Sequence, residues 1–579
     1  MSDNYEFMKA SIPQDIDDYS PYIDKQYNNY INDINNGVYT NNSLTLVNFD
    51  LGQIYNSQKF TDTNDLFAVI PITMVAAFST GTATIAPPRG SQSLLTMKSN
   101  FLNLIHQSDL QVNGKTLEPT QPFINMARHF QLLSEMSVND LKTIGHTIGF
   151  SETLDNPKSM VYYDGATTAA ASGNGLSNNR PYAGTGGGSD NQISSQTQQN
   201  GGVTNSAIQY KIGRYLDTSG NGTANTNNIN NIVGKIVSVN NLTTEFRPYY
   251  TTNSNYMIWY DYAVIKLNYL FESLGKMGLV RRFDATLRLW INTGTVNVTV
   301  TGVGTANQNY SLTASNNTFS NTCPLMVNYF GNDTNYVPAT TTNIVAGLYI
   351  AKPPATSFAG INLSNSGATH PLLNCRLYYS QIIVHPQKSI KYIEENRNKK
   401  VVYRTFVSNL YNNISSGGNF NNLINSGIVH PTGVLIIPFI SSSVTAAFGD
   451  SQWKSPFDTC PATSSPCSLT NLQVTLGGQN VLQSTLFYTF ENFIEQVNLA
   501  EQLTSADFGV STGLINQGYW EWSRFYFINV ERSPIADKLQ PRNINISFTN
   551  NSAIAIDVMV FIFYSDEFVV DVETGIINK

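Results

Sequence analysis

Charge is what this sequence has least of. Only 13% of its 579 residues are Asp, Glu, Lys or Arg, about half the ~25% usual in a soluble globular chain. The 33 basic and 40 acidic side chains leave a net charge of -7. That balance excludes a protein that coats nucleic acid by neutralising phosphates, which needs a basic face. Cysteine is nearly as scarce. Four residues (Cys323, Cys375, Cys460, Cys467) in a chain this long exclude a disulfide framework. The six residues between Cys460 and Cys467 are not a zinc-site spacing. Free thiols in a reducing compartment are the expectation. Long apolar runs are missing too. Val558–Tyr564 and Val434–Ile440, the second interrupted by Pro438, fall far short of the ~20 residues of a bilayer-spanning helix. The opening MSDNYEFMKASIPQDIDDYSPYID is acidic and has no apolar centre, unlike a secretory signal.

Asparagine fills the space left by charge, with 68 residues. Hydrophobic residues at 41% and aromatics at 11% are enough for sizeable cores, and the length calls for two or three domains. The periodicity is that of strands. Leu287–Ile291 and Thr295–Val300 alternate on either side of a Thr-Gly turn. Asn543–Phe548 alternates and is followed, after Asn550-Asn551, by Ala555–Val560. Period-2 runs broken by Asn and Gly predict antiparallel hairpins. Two stretches carry helical spacing, Phe123–Leu141 and Phe490–Leu503. Two others are of low complexity. Residues 165 to about 232 are dominated by Gly, Asn, Ser and Thr. Residues 301 to about 370 are milder, with islands such as Pro324–Phe330. Both offer little apolar content against the entropy of ordering.

The chain repeats itself. Val69-Ile70-Pro71 is matched by Ile436-Ile437-Pro438, and Ala76-Ala77-Phe78 by Ala446-Ala447-Phe448. Leu110-Gln111-Val112 before Asn113-Gly114 is matched by Leu472-Gln473-Val474 before Gly477-Gly478, and Phe123-Ile124 by Phe493-Ile494. Leu377–Val384 is matched by Ile562–Val569. Five anchors in one order predict two related β-domains, the first lengthened after its helix by long insertions. The expected division is an N-terminal arm over 1–45, a first domain over 46–387 and a second over 388–579. The long loops fall at about 160–250 and 301–370, and the boundary lies between Pro386-Gln387-Lys388 and the polar run Glu394–Lys400.

The second half carries Lys399–Tyr403, Asn413-Ile414-Ser415 with Gly417–Phe420, Val434–Ile440 and Trp453–Phe457. It also carries Gly518–Glu521 and Pro541–Asn551. With these, in this order, the chain resembles the double jelly-roll major capsid proteins of polinton-like viruses and virophages. The resemblance covers about 180 residues. It implies an all-β fold of two tandem eight-stranded antiparallel jelly rolls, with short helical excursions and long loop insertions in the first. It also implies a homotrimer with a pseudo-hexagonal outline, packed with neighbouring capsomers into an icosahedral virion assembled inside the host cell. Minor capsid and penton proteins are its expected partners. The acidic arm (Asp3, Glu6, Asp15, Asp17, Asp18; Tyr19, Tyr22, Tyr27, Tyr30) is expected to run under neighbouring subunits or meet minor capsid proteins, with no direct contact to nucleic acid.

No chemistry stands out against this reading. His106, His129, His146, His370, His385 and His430 show no metal spacing. No nucleophile elbow or phosphate loop occurs. Adjacent carboxylates at Glu394-Glu395 and Asp566-Glu567 do not form a glycosidase pair, because neighbours on a strand point to opposite faces. No catalytic, cofactor-binding or metal-binding residues are expected, and no enzyme activity. Arg281-Arg282 and Arg397–Lys400 are expected in inter-subunit ion pairs. Tyr519–Phe527 is expected to fill a core with alternate residues and to pack the opposite set on a neighbour, and Trp290 and Trp520 are candidate core side chains. The alternative function is an extracellular β-sandwich protein that binds a receptor or glycan.

Overall fold

The computed structural model describes most of residues 23–145, 250–302, 310–329, 342–424, 427–442, 452–456, 467–499 and 513–579, with short gaps. Residues 1–22 and 146–249, apart from Leu216–Asp217, lie outside the described residues. So do His146, Cys460 and Ala446–Phe448, and nearly all of the first low-complexity stretch.

Eight strands form the roll of the first half: β1 (Ile23–Asn32), β2 (Ser43–Asp50), β3 (Phe60–Thr80), β4 (Ile105–Val112), β5 (Lys115–Glu118), β6 (Tyr256–Lys266), β7 (Ala285–Gly302) and β8 (Arg376–Val384). They pair in the orders β1-β8-β3-β6 and β2-β7-β4-β5, all antiparallel. The second half repeats the series: β9 (Lys399–Ile414), β10 (Asn419–Ile424), β11 (Pro431–Ile440), β12 (Leu469–Leu476), β13 (Gln479–Asn480), β14 (Tyr526–Asn529), β15 (Ile544–Asn550) and β16 (Ile556–Val570). Its sheets run β9-β16-β11-β14 and β10-β15-β12-β13. Each strand of the second half takes the place of the strand eight earlier. First beside last, and second beside next to last, is the jelly-roll order. The chain is a double jelly roll.

The repeated Ile-Pro pair shows why the two halves match in sequence. Both prolines sit inside long strands, where a missing N–H is normally excluded. Along β3, β8 pairs only as far as Val69, and the strand Thr342–Ile350 begins at Ile72. Pro71 falls between them and needs no donor on that edge. In β11 the opposite edge opens: β14 covers only Gly433–Ile436, while β16 pairs along the strand through Pro438 to Ile440, so among the described residues no strand flanks Pro438 on the β14 side. Around the prolines the strands are apolar throughout. Val434–Ile437, Phe439 and Ile440 are at most 0% exposed, because β11 is covered on both faces.

Several expectations need correction. Leu287–Val300 is not a hairpin. β7 runs straight through the Thr-Gly pair, and its first half lies between β2 and β4. From Gly294 onward it leaves that sheet and pairs with Thr342–Ile350 and Tyr310–Ser315. A Cβ on Gly294 would stand 2.8 Å from Thr318 Oγ1 and 3.0 Å from Phe319 N, so glycine is there for close approach rather than for a turn. The crossing joins the first roll's strands into one 13-stranded network. The milder low-complexity stretch is therefore partly sheet, with strands at Tyr310–Ser315, Leu325–Tyr329 and Thr342–Ile350. Leu325–Tyr329 pairs with Ser93–Met97, which also pairs with Leu216–Asp217. The arm expected over 1–45 shortens, because residues 23–32 are an edge strand of the first roll.

Trp290 is not core. It alternates with buried Leu287, Leu289 and Ile291 and sits half-buried on the opposite face of β7. Tyr526–Asn529 is buried on both faces, one set in its own roll and Phe527 against Phe130 of the first roll. The first helical stretch breaks into α1 (Ile124–Glu135) and a short helix Val138–Thr143. At the break, Ser137 Oγ accepts from the Asp140 N–H at 3.1 Å, while Asp140 Oδ2 accepts from the Ser137 N–H at 3.0 Å. This reciprocal cap starts a new helix. Among the described residues three α-helices lay outside the expectation: the single turn Leu267–Leu270, α2 (Glu272–Met277) and α3 (Pro386–Asn396). Glu394 and Glu395 lie exposed on α3 instead of in a turn. The second expected helix is α4 (Phe490–Leu499).

Candidate functional site

Among the described residues no group of His, Cys, Asp and Glu could hold a metal, and no helix is long and apolar enough to cross a membrane. Cys323, Cys375 and Cys467 are buried free thiols. The paired carboxylates separate as strand geometry requires. Asp566 meets Lys579 at 2.6 Å, and Glu567 meets Lys400 at 2.7 Å. Lys400, expected to face another subunit, is thus paired within the chain. Arg281 likewise donates to Ser389 Oγ at 2.7 Å and lies 4.4 Å from the Phe60 ring centroid.

The most elaborated site is the seam between the rolls. There α1, α2 and the end of β5 from the first roll lie against β9 of the second. Arg404 is its centre. Its Nε donates to Glu272 Oε2 and its Nη1 to Glu135 Oε1, both at 2.7 Å, and its backbone N–H also donates to Glu272 Oε2 at 3.1 Å. Burial alone would raise the Glu272 carboxyl, but Arg404 and Lys276 outweigh it and hold the group below its usual range. Glu135 has less compensation and is raised by its burial despite Arg404.

One layer deeper, Arg128 of α1 meets Glu118 of β5 at 3.2 Å, with both side chains at most 5% exposed. Glu118 also accepts from Ser273 Oγ at 2.8 Å, and burial still raises its carboxyl. The Arg128 guanidinium lies 5.8 Å from the ring centroid of Phe406 on β9. Tyr403 donates to the Leu117 carbonyl at 2.6 Å, and Ser408 Oγ to the Pro122 carbonyl at 3.0 Å.

Apolar packing continues through the same plane. Phe130 of α1 has ring centroids of Phe525 at 5.3 Å, Phe527 at 5.8 Å and Phe493 at 6.5 Å. One unbroken buried cluster runs from Ile31 to Ile577. Because α1 is enclosed between the rolls it is buried nearly all round, polar residues included. Leu514 N–H donates to the Leu133 carbonyl at 2.7 Å. Gly513, at φ +61°, passes so close that a Cβ would stand 2.4 Å from that oxygen. Arg404, Glu272, Glu135 and Gly513 escaped the sequence reading. The available signal was rarity, since an Arg inside the run Tyr403–Phe406 is unusual in a chain so poor in charge.

The two rolls use equivalent strands unequally. On β9, Val401, Tyr403, Thr405 and Phe406 are buried. On its counterpart β1, Asp24 through Tyr30 are all exposed. Tyr27 and Tyr30 stand 37% and 47% exposed.

His106 of β4 faces the ring of Phe123 at 5.1 Å and is 4% exposed. Burial, with no partner for Nδ1, pushes its imidazole down to about 4. The unfolded chain binds that proton near 6.5. The stability held by neutral His106 is therefore present above about 6.5 and is lost as the pH falls toward 4. The urea midpoint should drop between pH about 6.5 and 5, above the carboxylate range, and the drop should be smaller in His106→Gln. Equal slopes in the two proteins would contradict the assignment.

Fold and seam together define a single chain built as two jelly rolls locked side by side. No protein-family model matches the sequence, and no curated protein matches it significantly. Among solved structures, the chain is similar to one in the cryo-EM structure of the Sputnik virophage, at 9% identity over 96% of this chain and 89% of that one, with a TM-score of 0.49. It is similar to the mavirus major capsid protein at 10% identity over 95% and 89%, TM-score 0.40. It is similar to the faustovirus major capsid protein at 10% identity over 97% and 93%, TM-score 0.41. The assignment of the fold follows from the strand order by itself.

Proposed function

We propose that this chain is a major capsid protein, and that three copies close into a pseudo-hexagonal ring of six rolls that tiles an icosahedral virion shell. The observation that carries the reading is the contrast between β9 and β1. The second roll buries its first strand against the first roll. The first roll carries the same strand in the same place, bare. An interface in which one roll's first strand meets the flank of the roll before it is heterologous. Repeated at about 60° it closes after six rolls, which is three chains. The locked seam supports this, since a tile keeps its angle only if its halves do not hinge. The resemblance read from the sequence agrees with it.

In this reading the chain divides near α3 into rolls at about 23–387 and 388–579, and acts as structure without enzyme activity. Its partners are other copies and minor capsid and penton proteins, and its location is the virion, assembled inside the host cell. The low and acidic charge supports a shell that leaves genome neutralisation to other components. Size is the test. Purified protein should run near 190 kDa, about three times the 63.9 kDa of one chain, or as larger shells. A stable monomer that binds a glycan array would overturn the proposal.

A further inference from the structure

The end of the second roll holds an open groove of about 440 Å³. Its lining includes Val402, Ile428, His430, Leu476, Arg542 and Glu567. Val402, an apolar side chain in this wall, is 44% exposed. The matching place in the first roll is filled. The Ile70/Ile437 and Tyr379/Tyr564 anchors carry Phe60 onto the Gly427-Ile428 pair and Ile382 onto Glu567, all of which line the groove. In the first roll, Phe60 and Ile382 pack in one buried cluster with Tyr392 of α3 and with Val572. Tyr392 is 6% exposed, sets its ring edge-on to Phe60 at 5.6 Å and donates to the Leu279 carbonyl at 3.1 Å. Arg281 fixes the same helix through Ser389.

α3 is the segment that leads into the second roll's first strand, and it seats beneath the roll before its own. Its sequence recurs once. Pro386-Gln387, with Tyr392 six residues after the proline, precedes β9. Pro13-Gln14, with Tyr19 six residues after the proline, precedes β1. The first roll has no earlier roll in its own chain. In the ring proposed above, on which this inference rests, the roll before it is the second roll of a neighbouring copy, and that roll carries the open groove.

We propose that residues 1–22 dock in the groove of the neighbouring copy, with Tyr19 occupying beside Ile428 the place that Tyr392 occupies beside Phe60. The segment then belts each copy to the next.

The test uses full-length chains carrying one new cysteine each, Tyr19→Cys in one and Val402→Cys in the other, co-assembled and oxidised gently. Because the two cysteines lie on different chains, only docking between copies can join them. Expected on a non-reducing gel is a shift from 63.9 kDa to about twice that mass in the Tyr19/Val402 mixture, reversed by reductant, and none with Tyr19→Cys against the exposed Ile576→Cys. Trimers of about 190 kDa that give no Tyr19–Val402 link would overturn the docking and leave the capsid reading standing. So would a link that forms only when both cysteines share one chain. A 63.9 kDa monomer by light scattering would overturn the capsid reading itself.

Discussion

Trp520→Ala should cost about 3–5 kcal/mol, the range for emptying a large aromatic site in a packed core. Trp520 is 4% exposed, and its Nε1 donates to the Phe525 carbonyl at 2.8 Å. The rings of Phe490, Phe493 and Tyr526 surround it, with centroids at 5.9, 6.2 and 6.2 Å. Removing it leaves a cavity between α4 and β14 and also orphans the Phe525 carbonyl. Phe525 and Phe527 are the rings that receive Phe130 of the first roll, so the loss should spread into the seam. In a roll of this size the melting midpoint should fall by roughly 10 °C. A midpoint within 2–3 °C of the parent, well under that fall, would mean the indole is not core.

Arg404→Ala should cost about 3 kcal/mol, near the lower end for breaking a buried ion pair. Arg404 is 16% exposed and Glu272 15%, while Glu135 is more open at 35%. Truncation leaves Glu135 without its ion-pair partner and Glu272 with Lys276 alone, at 2.7 Å. The damage should therefore come from the stranded acids more than from the lost attraction. The double variant Arg404→Leu with Glu272→Leu should lie closer to the parent than Arg404→Ala, and calorimetry of Arg404→Ala should separate the rolls into two transitions. A double variant no better than the single one would show that packing by the arginine stem dominates.

Much of the fold was legible because it is local. The Ile-Pro pair is written twice since each roll has one long central strand with a flanking partner that stops short of its proline. Clean alternation at Asn543–Phe548 announced a strand with one buried face, and Ile544, Ile546 and Phe548 are buried. What failed was long-range. Trp290 has the composition of a core residue, and only the register of β7 puts it on the outer face. Tyr526–Asn529 is buried on both faces, and the contact of Phe527 with Phe130 of the other roll is one that no local pattern records. The helix α3 looked like a polar linker because only Ser389 and Tyr392 of its residues are buried. The seam was invisible because Arg404, Glu135 and Glu272 are far apart in the chain and none belongs to a motif.

The passage of β7 from one sheet to another limits how this protein can be trimmed. An insertion held by a loop can be cut out and the ends rejoined. Here the insertion is grown on the strands themselves, since β3 beyond Ile72 and β7 beyond Thr293 are paired by Thr342–Ile350. Excising residues 303–370 would bare one edge of β3, which keeps β6 on the other, and both edges of β7 beyond Thr293, the kind of edge that recruits other chains into aggregates. A shortened variant must cut β3 and β7 back as well, so the upper storey and the roll below it have to be redesigned together.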